Sequence, residues 1–144
     1  MSVGSGLHAG EIDCLVLRLK DKVRWLKVFA RRARTHWLAL YAPLFAGIEL
    51  FDSFGFSPRM YSLDFLDPLH SSYSLQSPRT SLCGHYCIVY IYLCSHNYSL
   101  SDIVHLLTNI SSRDLWVKQY IYNMQIRLCI LNPCHSTGQR CKFC

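Results

Sequence analysis

His85-Tyr-Cys-Ile-Val-Tyr-Ile-Tyr-Leu-Cys94 is apolar at nearly every position and follows directly on Cys83-Gly84. A segment with no polar face must be covered on all sides, so the rest of the chain has to fold around it. The run fits a fully buried helix. Ile88, Val89 and Ile91 suit a buried strand equally well, and periodicity does not separate the two. At its longest, from Tyr86 to Cys94, the run falls well short of the ~20 apolar residues that cross a bilayer. No membrane partner is expected. The chain has 144 residues, 51% of them hydrophobic and 17% charged, which is enough for one core and excludes wholesale disorder.

Upstream of this run, Trp37-Leu-Ala-Leu-Tyr-Ala42 and Ile48-Glu-Leu-Phe51 read as two strands joined across Pro43 to Gly47. An antiparallel hairpin centred near Leu44 would set position 36 opposite position 52, so that His36 meets Asp52. Gly55 and Pro58 end the second strand, and the Ser- and Pro-rich stretch to Ser81 reads as loop with one short strand. Downstream, residues 99–110 open with Ser/Asp capping residues and continue at helical spacing, and Arg113 to Arg127 predicts a further helix.

The net charge of +6 is concentrated at one end: residues 1–35 hold eight Lys/Arg against three Asp/Glu. Arg18, Lys20, Lys22, Arg24, Lys27, Arg31, Arg32 and Arg34 run beside Val16, Leu19, Val23, Leu26, Ala30 and Ala33 at the spacing of an amphipathic helix. Val23 to Phe29 also suits a short strand. A basic face of this kind either binds a polyanion or is simply solvated. The opening Met-Ser-Val-Gly-Ser-Gly has no secretory pattern, which predicts an intracellular chain with reduced thiols.

With eight cysteines and seven histidines, residue type alone selects nothing, and local context must. Cys83 opens the apolar run, where a helix N-terminus would point backbone N–H groups and the positive end of its dipole at the sulfur and lower its pKa. Gly84 beside it leaves room for a substrate carbonyl to approach the backbone. His36 is the histidine that the hairpin sets beside a carboxylate, and Asp52 would fix its tautomer. An ordinary buried cysteine is a small hydrophobe, and that reading of Cys83 stands beside the catalytic one.

Thr35-His-Trp-Leu-Ala39, Leu50-Phe-Asp-Ser-Phe-Gly-Phe-Ser57 and Leu75-Gln-Ser-Pro-Arg-Thr-Ser-Leu-Cys-Gly-His-Tyr-Cys87 together resemble the three signature blocks of the adenovirus maturation protease (adenain) family. The blocks are most like those of Polinton/Maverick-type, adenovirus-like cysteine proteases, and are related to those of SUMO-deconjugating proteases. The resemblance covers about residues 35–95 and weakens towards 125. It implies an α+β cysteine-protease fold of the adenain/SUMO-protease type, with a small mixed β-sheet packed on a central buried helix that starts at the nucleophile.

Residue by residue, the resemblance makes Cys83 the nucleophile, His36 the general base and Asp52 its orienter. Adenovirus enzymes carry glutamate at the position of Asp52, and SUMO-deconjugating enzymes carry aspartate. Gln76 and the Cys83 amide would form the oxyanion hole, and Trp37 and Gly84 would line the substrate cleft, with Trp37 placed for cation–π contact with protonated His36. The implied function is a cysteine endopeptidase of a virus-like or transposable element, cleaving precursor proteins near Gly-containing sites. The alternatives are a ubiquitin-like or SUMO deconjugating protease, and a catalytically decayed relic that binds nucleic acid.

No cofactor is implied for the chemistry itself, although the family suggests DNA, through basic residues 18–34, or an activating peptide. A nuclear or virion-like location follows from the same resemblance. Upstream of His36 the chain departs from the family: Val28-Phe-Ala-Arg-Arg-Ala-Arg34 is short and basic, which implies that part of the sheet is missing or replaced. Three regions result: a basic segment over 1–34, a protease core over 35–128 and a Cys-rich tail over 129–144. In the tail, Cys134, His135, Cys141 and Cys144 have zinc-ligand chemistry, but only one pair has knuckle spacing, so zinc is not expected.

Overall fold

The computed structural model describes residues 28–33, 36–42 and 47–131. The apolar run is the helix α1 (Cys83–Ser95), in which every residue except Tyr92 and Ser95 is buried. A helix bonds its own backbone, so α1 can take apolar neighbours on every side without needing strand partners, and this decides between the two readings of Ile88, Val89 and Ile91. Its neighbours are a sheet and two further helices.

The sheet has the order β1 (Val28–Ala33), β2 (His36–Tyr41), β3 (Glu49–Phe51), β4 (Leu69–His70). β1 and β3 flank β2 antiparallel, and the two-residue β4 runs parallel to β3. The sheet is thus mixed and the architecture α+β. β2 is buried on both faces. Trp37 and Ala39 join the cluster around α1, whereas Leu38 packs with Leu50 and Leu63 under the 3-10 turns Pro58–Tyr61 and Asp64–Leu66. Strand alternation divides these residues between the two faces.

Two expectations change here. Residues 28–33 are a strand rather than part of an amphipathic helix: pairing along the whole of β2, from Val28↔Tyr41 to Ala33↔His36, satisfies an edge that would otherwise expose a row of N–H and C=O groups. The stretch in which a strand was expected to be missing or replaced therefore supplies β1, and six residues of the basic segment belong to the sheet. Residues 18–27 and the tail with Cys134, His135, Cys141 and Cys144 lie outside the described residues, and with them the nucleic-acid and zinc expectations. The hairpin register also differs. Ala39 pairs with Phe51 and Leu40 with Leu50, so the ladder, continued, sets His36 across from Phe54 instead of Asp52. A slip of two residues preserves the face on which each side chain lies.

α2 (Leu100–Thr108) starts in a capping box: Ser99 Oγ accepts the Asp102 N–H, and Asp102 Oδ2 accepts the Ser99 N–H, both at 3.1 Å. Its buried residues Leu100, Ile103, Val104 and Leu107 form one stripe against the core. α3 (Arg113–Leu131) runs past the expected end at Arg127 and takes in Cys129, the first cysteine of the tail. It contributes Val117, Ile121 and Met124 to the same cluster.

Gly55 closes the turn after β3, donating to the Asp52 carbonyl at 3.0 Å with φ of 72°. A Cβ there would stand 2.5 Å from the Tyr73 carbonyl oxygen. Gly55→Ala therefore combines left-handed strain with a backbone clash and should cost at least about 2 kcal/mol, read as a lower urea midpoint at unchanged slope. Ser99→Ala, which removes one half of the capping box, should cost about 1 kcal/mol in the same measurement.

Candidate active site

β3 ends at Phe51, and the next two residues face opposite tasks. Asp52 is buried, yet its carboxylate meets four donors. Oδ1 accepts His36 Nε2–H at 2.5 Å and the Phe54 N–H at 2.9 Å; Oδ2 accepts the Tyr61 hydroxyl at 2.6 Å and the Phe56 N–H at 3.2 Å. Two of these donors come from the turn that Asp52 itself initiates, the local bonding for which Asp is favoured at such positions. Burial works to raise the Asp52 pKa, but the hydrogen bonds from His36, Tyr61 and Phe54 outweigh it and hold the carboxyl below its ordinary range.

His36, at the start of β2, stacks on Phe54 with ring centroids 4.6 Å apart and faces Tyr61 at 6.2 Å. The continued register places Phe54 across from His36, and the turn then carries the Asp52 carboxylate back to the ring. Nε2 is taken by Asp52, and Cys83 is the other group that acts on the ring. Burial favours the neutral imidazole. The hydrogen bonds and charges of Asp52 and Cys83 exceed that effect and raise the pKa to about 9.

Cys83 is the first residue of α1, and no side chain caps this helix. Burial alone would raise the thiol pKa. The hydrogen bond from His36, the Trp37 N–H, the imidazolium charge and the Gly84 N–H reverse the sign, so the thiol lies below its ordinary value. The two other described cysteines of α1 go the opposite way. Cys87, fully buried one turn later, is held well above the ordinary thiol value by burial while its sulfur donates to the Trp37 carbonyl at 3.4 Å. Burial pushes Cys94 up to about 12.

Gln76 sits on the loop that leads into α1 and is 2% exposed. Ser53 holds it: the Ser53 carbonyl accepts the N–H groups of Leu75 and Gln76 at 2.8 and 3.0 Å, and the Ser53 hydroxyl donates to Gln76 Oε1 at 2.7 Å. Nε2 donates to the Thr80 carbonyl at 2.7 Å and, more loosely, to Thr80 Oγ1 at 3.3 Å. Thr80 in turn donates to Asp114 at the start of α3, which also accepts the Ser77 N–H and the Tyr86 hydroxyl. An open groove of about 980 Å³ lies along this loop and α3, lined by Gln76, Leu82, Arg113, Asp114, Leu115 and Lys118 among others.

His36, Asp52 and Cys83 thus converge, and Gly84 lies in the first helical turn beside the sulfur. Trp37 follows His36 on β2. Its side chain belongs to the core, its backbone serves Cys83 and Cys87, and the ring stacked on the imidazole is that of Phe54. Ser53, Phe54, Tyr61 and Thr80 were not picked out by the sequence. Ser53 and Phe54 had a local signal, the turn after Asp52; Tyr61, nine residues on in a 3-10 turn, had none. Among the described residues, no three His, Cys, Asp or Glu side chains gather as a metal site, and no helix is long and apolar enough to cross a membrane.

No family model, curated protein or solved structure matches the chain.

In a proton NMR titration the His36 ring should change charge near pH 9. Because that rise rests on Asp52, Asp52→Asn should return the midpoint towards 6.5. A midpoint unchanged in the variant would mean that the carboxylate does not hold the imidazolium.

Proposed function

We propose that this protein is a cysteine peptidase of the adenain/SUMO-protease type, with Cys83 as nucleophile, His36 as general base and acid, and Asp52 as the group that orients His36. One observation carries the reading: on a single helix the thiol pKa is lowered at Cys83, beside His36, and raised at Cys87 and Cys94. Structural cysteines have no need of a lowered pKa, whereas nucleophilic ones do.

The reacting form of the pair is thiolate and imidazolium. The Cys83 sulfur attacks the carbonyl carbon of the scissile bond, forming a C–S bond and moving the π electrons onto oxygen. Gln76 Nε2–H and the Cys83 N–H supply the two donors for that oxyanion, a contribution commonly worth about 3 kcal/mol per donor. As the C–N bond breaks, Nδ1–H of His36 gives its proton to the leaving amine, leaving a thioester and neutral imidazole. Water then attacks the thioester while His36 takes one of its protons. The C–S bond breaks, and the carboxylic product leaves with thiolate and imidazolium restored. Asp52, kept ionised by its four donors, stabilises the imidazolium at both stages. The substrates we propose are precursor proteins of a virus-like or transposable element, cleaved near glycines.

Iodoacetamide labelling read by mass spectrometry tests this. At pH 7 Cys83 should react at least about tenfold faster than Cys87 and Cys94, and His36→Ala should abolish the difference. Equal rates for the three in the wild-type protein would overturn the assignment. Turnover of a Gly-Gly peptide amide should decline as pH rises through about 9, where His36 loses the proton that the leaving amine needs.

A further inference from the structure

An amide can serve an oxyanion hole only if its nitrogen, and not its oxygen, faces the reacting carbonyl, and the two ends of a glutamine amide have nearly the same shape. Something must therefore decide which way Gln76 points. We propose that Ser53 is the positioning residue that holds it, with the Thr80 carbonyl fixing which end is nitrogen. This rests on the peptidase reading of the site and extends it to a residue outside the Cys-His-Asp set.

Ser53 is fully buried, and its hydroxyl hydrogen has a partner at 2.7 Å, Gln76 Oε1. A hydroxyl can donate or accept, so it takes the end of the amide that the other partner leaves to it. The Thr80 carbonyl, 2.7 Å from Nε2, accepts only the nitrogen end. Turning the amide over would set two oxygens against each other at Thr80, inside the core, where each unsatisfied polar group is costly, and would oblige the Ser53 hydroxyl to turn from donor to acceptor. The backbone is fixed as well: the Ser53 carbonyl holds the Leu75 and Gln76 N–H groups, while Arg113 Nη1 donates to the Leu75 carbonyl at 2.8 Å. Nε2 keeps a second hydrogen, held by no contact shorter than the 3.3 Å to Thr80 Oγ1, and the peptidase reading gives that hydrogen to the oxyanion.

Asp52 and Ser53 are consecutive, and each orients one half of the machinery: the carboxylate sets the imidazole and the hydroxyl sets the amide. A shift of the turn after β3 would displace both together. Ser53 acts through Gln76 and does not touch the sulfur in this arrangement, which makes its contribution separable from that of Asp52.

Ser53→Ala removes the hydroxyl and keeps the carbonyl. Turnover of a Gly-Gly peptide amide should fall about tenfold in kcat, part of what losing an oxyanion donor outright costs, with KM changed less than about twofold. Alkylation of Cys83 by iodoacetamide, which displaces iodide without forming an oxyanion, should keep its wild-type rate. The side-chain NH2 signals of Gln76 should exchange with solvent more slowly than those of exposed Gln119 in the wild-type protein and lose that protection in the variant. Unchanged Gln76 signals in Ser53→Ala, or their lack of protection in the wild-type protein, would overturn the proposal. So would an alkylation rate that falls in step with turnover, since Ser53 would then be acting on the Cys83–His36 pair. If wild-type Cys83 is slow and no peptide is cleaved, the peptidase reading fails, and the Gln76 signals still decide whether Ser53 orients the amide.

Discussion

A helix with no polar face can meet water only at its ends, and in this protein Cys83 stands at one of them. That constraint organises the rest. β2 covers α1 on one side and α2 and α3 cover others, and the start of β2 and the turn after β3 come to the end at which the first turn emerges. The uncapped N-terminus concentrates backbone N–H groups at the sulfur, and whatever surrounds that end sets the ionisation of the thiol.

Burial would make every thiol of α1 a poor nucleophile, and at Cys87 and Cys94 it does. Cys83 escapes because its desolvation is offset by a cation and two backbone donors. His36 stays protonated in turn because Asp52 and Cys83 overcome the desolvation of the ring. Asp52 stays ionised because its own turn and Tyr61 donate to it. Tyr61 completes the chain of dependence: burial and the adjacent carboxylate hold its hydroxyl well above the ordinary phenol range, so it remains a donor. Each group holds its state through the next, which is the behaviour expected of a coupled, partly buried charge network.

The turn after β3 carries an unusual share of this arrangement. Gly55 permits its geometry, Phe54 stacks on the imidazole, Asp52 and Ser53 reach His36 and Gln76, and all lie within five residues of the end of the sheet. Rigid placement by a strand end and a tight turn suits chemistry that tolerates little misplacement.

The sequence by itself determined the elements whose cause is local. The unbroken apolar run required a buried segment, Ser99 and Asp102 marked the start of α2, the stripe from Leu100 to Leu107 gave its buried face, and Gly55 and Pro58 ended the strand before them. His36, Asp52 and Cys83 stood out because each sat beside a recognisable strand end or helix start. What depended on distant partners was decided only by the fold. Helix won over strand in α1 because covering elements arrived on several sides. Strand won over helix at 28–33 because β2 offered an edge, and the turn after β3 brought both the Phe54 ring and the Asp52 carboxylate to His36. The Tyr61 hydroxyl, the core position of Trp37 and the hold of Ser53 on Gln76 are contacts between residues that no local pattern links, and only packing brings such groups together.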